Sequence, residues 1–173
     1  MKNLIDRLKA RALRTGGGAA DAISKLEKKA GMLLPTELTS LLKEIRNAVV
    51  FDSGAKFVPS NSTGRENAEG YLSVEVIYGG QSSSNGLDER NLVLKDKMPP
   101  GLIAIGEAPG GDQICLEKGS SKVFFWKHDV ETGESVTEIA SNMASFLNAL
   151  EPDAGEDTTA QREVIEGESF LDF

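Results

Sequence analysis

Apolar residues recur along the chain at spacings that announce its elements. Over residues 1–14, Leu4 or Ile5, Leu8 and Ala12 stand three to four positions apart, a helical period. Gly16, Gly17 and Gly18 interrupt it, because three successive glycines lose a great deal of entropy on ordering. The period resumes at Ile23, Leu26 and Ala30, between a capping Asp21 and a terminating Gly31. Pro35 suits a first helical turn, and Leu38, Leu41, Leu42 and Ile45 follow at i, i+3, i+4 and i+7. Two short helices joined through Leu33, Leu34 and Pro35 are therefore expected.

After Asn47 the pattern turns to strands. Residues 49–51 and 57–58 are short apolar runs, and a Ser-, Asn- and Gly-rich loop covers 59–70. From Tyr71 to Tyr78, Leu72, Val74, Val76 and Tyr78 alternate with Ser73 and Glu75, as in one half-buried strand. A polar loop over 79–90 precedes an expected strand at Leu92, Val93 and Leu94. Leu102–Ile105, Ile114–Glu117 and Val123–His128 complete the set, separated by turns at Pro109–Asp112 and Lys118–Ser121. The even spacing predicts an α+β fold, with a mainly antiparallel meander of about five or six strands. Along the chain an N-terminal helix pair precedes it and a C-terminal helix follows it. The C-terminal helix carries Ile139, Met143, Phe146, Leu147 and Leu150, with either a Ser135–Glu138 capping box or Ser141 at its start.

Composition narrows the class. With 39% apolar and 27% charged residues the chain reads as globular, and 6% aromatics make its core largely aliphatic. No run approaches the ~20 apolar residues that cross a bilayer. Charges interrupt the N-terminal residues too often for a secretory signal, and Cys115 alone cannot form an intrachain disulfide. A cytoplasmic protein without membrane attachment is the expectation. The net charge is −8, of which residues 151–173 hold −7: eight acids against Arg162. Only residues 1–15 cluster basic side chains, without an aromatic among them, so direct nucleic-acid binding is not expected. The charge and the glycines suggest three parts: a helical extension at 1–18, a domain at 19–150, and an acidic, flexible tail at 151–173 ending in Phe170, Leu171 and Phe173.

Candidate chemistry is thin. His128 is the sole histidine and adjoins Asp129, but neighbouring strand residues point to opposite faces and no Gly-x-Ser-x-Gly elbow is present. One His and one Cys make no zinc set, and no Asp-x-Asp-x-Asp-Gly loop orders calcium. Cys115 alternates with Ile114 and Leu116 and reads as packing. No catalytic residue, metal or cofactor is expected. Gly110, Gly111 and Asp112 suit a turn with positive φ, or else an exposed loop for a protein partner. Trp126 suits the core or an interface anchor.

Four stretches together resemble the SUKH superfamily, the family of a yeast regulator of cell-wall synthesis and of many bacterial immunity proteins. They are Ile23 to Leu42 with its Leu34-Pro35 junction; Pro100–Gly106 with Gly110–Leu116; Lys122–Asp129; and Ile139–Leu147. The resemblance covers roughly residues 20–150. It implies a sheet flanked by the early helix pair and the last helix, a protein-binding role and no enzymatic activity. For bacterial members it implies immunity, the neutralising of a toxin domain of nuclease or deaminase type. The other role in the family is a cytoplasmic regulatory scaffold. Glu107, Asp112, Trp126, His128 and Asp129 are the residues expected at a partner interface.

Overall fold

The computed structural model describes residues 1–13, 21–80, 84–130 and 133–153. The expected glycine hinge and the acidic tail beyond Asp153 lie outside the described residues. Where the apolar period is 3.6 and the ends are punctuated, the helices form as the pattern dictates. Asp21–Ala30 (α2) ends at Gly31, whose φ is 69°, and Thr36–Ile45 (α3) buries Leu38, Leu41 and Leu42. The connection is tied by Glu27, which accepts a hydrogen bond from the Leu34 N–H at 2.9 Å.

The N-terminal period gives a shorter helix than its length suggests. Lys2–Leu8 (α1) stops at Lys9, which takes a left-handed φ of 47°, and Ala10–Ala12 (β1) then pairs antiparallel with Val49–Phe51 (β2). Leu8 is fully buried, and Arg7 donates to the Leu147 and Asn148 carbonyls at 3.5 and 3.4 Å. These residues therefore pack on the domain.

The strands form two sheets. One has seven strands in the order β1, β2, Val76–Ile77 (β5), Leu102–Glu107 (β6), Gln113–Glu117 (β7), Val123–Trp126 (β8) and Val136–Ala140 (β9). The other joins Ala55–Phe57 (β3) to Leu72–Val74 (β4) and to Glu151–Pro152 (β10). Every paired ladder between these strands is antiparallel. In β6 and β7, Ile103–Gly106 and Gln113–Leu116 are buried at consecutive positions, so these strands are covered on both faces. Leu87–Leu94 (α4) packs on β6, and Met143–Ala149 (α5) on β9.

Three expectations are corrected. Leu92, Val93 and Leu94 are not a strand but the end of α4. Its inward positions are Leu87, Arg90, Asn91 and Leu94, at i, i+3, i+4 and i+7, while Leu92 and Val93 face solvent. Two polar residues inside and two apolar ones outside erase the amphipathic signal. The 71–78 run is two strands in different sheets: its burial alternation slips by one after Glu75, whose N–H bonds to the Glu107 carbonyl at 2.9 Å. The last helix starts later than Ile139, because residues 136–140 pair with β8. Neither proposed cap is used. Asn142 caps α5, accepting from the Ser145 N–H at 2.8 Å.

Candidate functional site

The turns 108–112 and 127–130 leave the same end of the seven-stranded sheet, because β6 ends, β7 begins and β8 ends there. Gly110 and Gly111 have φ of 83° and 92°, the left-handed values a glycine pair permits, and the turn closes through Ala108 N–H to the Asp112 carbonyl at 2.9 Å. This geometry turns the Asp112 side chain inward. It is 4% exposed, and Oδ1 accepts from the His128 backbone N–H at 3.1 Å and lies 2.9 Å from His128 Nδ1. Arg65, from the 59–70 loop, places Nε 3.2 Å from Asp112 Oδ2 and binds Asp129 through Nη2. Asp112 thus ties three segments of chain together.

The 59–70 loop is held by its own bonds as well. Glu66 accepts from Thr63 N–H, from Gly64 N–H at 3.0 Å and from Ser62 Oγ at 3.2 Å. Burial opposes its ionisation, but the hydrogen bonds from Thr63 and Ser62 outweigh it and hold the carboxyl below the usual range. Asp129 is likewise held low, first by its hydrogen bond from Arg65. Lys127 Nζ donates to the Thr63 carbonyl at 3.0 Å and closes the ring of contacts.

Beside this cluster lies a second polar group. The Tyr78 hydroxyl is 2.6 Å from Gln113 Oε1 and 2.9 Å from Glu107 Oε2, and its one proton serves either acceptor. Arg90 Nη2 donates to that hydroxyl at 3.0 Å and pairs with Glu107. Burial pushes the Tyr78 phenol far above its ordinary value. Cys115 is fully buried and its thiol is pushed up by burial alone, which keeps it protonated.

Of the five residues expected at an interface, Asp112, His128 and Asp129 come together. Glu107 belongs to the Tyr78 group. Trp126 is 4% exposed, with its side chain in the core. Sequence reasoning missed Arg65, Tyr78, Arg90 and Gln113. Arg65 offered one signal, as the sole cation of the loop over 59–70.

Asp112, His128 and Asp129 each bring a ligand atom within 4.8 Å of the others. A guanidinium already fills the cation's place, since Arg65 bonds both carboxylates. The His128 ring resembles a base oriented by a carboxylate. Among the described residues, however, no hydroxyl or thiol hydrogen-bonds to it. What the arrangement offers is a braced surface on which Arg65, His128 and Asp129 remain 39%, 45% and 51% exposed through their side chains.

A family model described as the SMI1 / KNR4 family (SUKH-1) matches residues 17–149. Among curated proteins, the SPbeta prophage-derived uncharacterized protein YokK of Bacillus subtilis (strain 168) is 30% identical over 78 residues. That match takes in 44% of this chain and 41% of the relative's length.

Proposed function

The chain belongs to the SMI1 / KNR4 family (SUKH-1), and from that premise we propose that it is a non-enzymatic, cytoplasmic protein-binding module. Its role is that of an immunity protein, binding and neutralising a toxin domain of nuclease or deaminase type. The observation that carries this reading is the bracing of three loops at one end of the sheet. Arg65, His128 and Asp129 are exposed there, yet their positions are set by the buried Asp112. A surface already ordered before contact loses less side-chain and loop freedom on binding, which favours a tight inhibitor. Loops held on a rigid scaffold are also where binding residues concentrate. The similarity to a prophage-derived protein supports a setting of conflict between bacterial elements.

The test is capture from the source organism with the full chain, followed by assay of the captured protein. One dominant nuclease or deaminase, inhibited on binding, is the expected result. Asp129→Arg is expected to weaken that complex at least about tenfold, roughly 1.4 kcal/mol, while leaving the fold intact. Capture of several housekeeping proteins, with no activity inhibited, would move the protein to the regulatory-scaffold role. A complex indifferent to Asp129→Arg and to His128→Ala would remove the interface from this end of the sheet.

A further inference from the structure

The β6–β7 hairpin has a second end, away from Asp112, and a groove of about 250 Å³ opens beside it. Leu26, Ala30 and Met98 line its apolar part, and Lys29, Lys95 and Lys118 stand around them. The three lysines are exposed, and among the described residues none of them is in a salt bridge. The lining itself holds these three lysines and no acidic side chain. The groove is therefore a positive, apolar-floored surface on a chain of net charge −8. Its volume falls below the roughly 300–1,000 Å³ of small-molecule sites. It suits one or two side chains of a polypeptide segment.

The same chain contains a segment of the opposite chemistry. Residues 151–173 hold eight acids and one Arg, and close with Phe170, Leu171, Asp172 and Phe173. We propose that residues 154–173 occupy this groove in cis. Phe170 and Leu171 pack on Leu26, Ala30 and Met98, and Glu163, Glu166, Glu168 and Asp172 face the lysines. Reach permits it. The 17 residues from 154 to Phe170 extend to about 56–61 Å, whereas a domain of this size has a radius of gyration of about 15 Å. Apolar burial supplies the attraction at short range, and the charges guide the segment to this face and weaken with salt. The proposal does not rest on toxin binding, whose surface is the opposite end of the sheet.

The experiment uses the full chain carrying Ser169→Cys with a nitroxide attached. Cys115 is buried and stays unlabelled. The expected result is a loss of most amide signal intensity at Lys29, Ala30, Lys95 and Lys118 in ¹⁵N NMR spectra. Molar salt should restore much of it. A Lys29→Glu, Lys95→Glu, Lys118→Glu variant should restore nearly all of it, with the rest of the spectrum unchanged. Intensity lost on another surface, lost nowhere, or lost regardless of the charge reversals would overturn the assignment. So would equal losses when a spin-labelled chain is mixed with a separate ¹⁵N-labelled chain, because the occupant would then be a second copy. Identification of a toxin, or failure to find one, alters none of these outcomes.

Discussion

A single buried carboxylate organises the candidate surface. Asp112 accepts from the His128 backbone N–H, faces the His128 ring and pairs with Arg65, all from a side chain 4% exposed. Asp112→Ala removes the acceptor and leaves the part-buried His128 N–H without its partner, a change that costs on the order of 1 kcal/mol. The expected outcome is a lower urea midpoint with an unchanged slope. A midpoint equal to that of the unsubstituted chain would mean that solvent already satisfies His128. The Gly110–Gly111–Asp112 turn was legible in the sequence, because two glycines before an Asp demand positive φ and a local acceptor. Its partner was not. Arg65 lies 47 residues earlier, in a loop without periodicity, and nothing local indicates which carboxylate it meets.

At the scale of an element, α4 shows how tertiary demand overrides a local pattern. Strand β5 ends at Ile77, which leaves the Ala104 backbone in β6 without a neighbouring strand on the side away from β7. Asn91 replaces that strand: its Nδ2 donates to the Ala104 carbonyl at 2.8 Å, and its Oδ1 accepts from the Ala104 N–H at 2.9 Å. The side-chain amide, one donor group and one acceptor, matches a peptide edge. Asn91→Ala orphans both groups and is expected to destabilise the fold by roughly 2–6 kcal/mol, twice the cost of one lost partner. Hydrogen exchange at Ala104 is expected to accelerate more than at Cys115, which is paired on the other side of the same ladder. Uniform acceleration across β6 and β7 would mean that Asn91 acts only through global stability. The β9–α5 junction makes the same point. Ile139 fits both the strand and the helix period, and pairing with β8 decides for the strand.

At the scale of the whole molecule, stability is tied to ionised carboxylates. Glu66 and Asp129 both sit below their ordinary values of 4.5 and 3.8 in the folded state. A depressed folded value gives stability that is present above the unfolded value and lost as pH falls through the folded one. Urea midpoints are therefore expected to drop from neutral pH to about pH 3, where carboxylates protonate. Glu66→Gln should lower the neutral midpoint and flatten that acid limb. An acid limb of unchanged steepness would locate the protons elsewhere. Much of this architecture followed from the sequence alone. The α2–α3 pair and strands β6 to β8 with their turns were determined by periodicity and glycines, which act over a few residues. The division into two sheets, the identity of α4, the late start of α5 and the meeting of Arg65 with Asp112 and Asp129 were decided only in three dimensions. Each depends on which backbone edge lacks a partner and which distant side chain can reach it, and that information is carried by contacts rather than by neighbours in the chain.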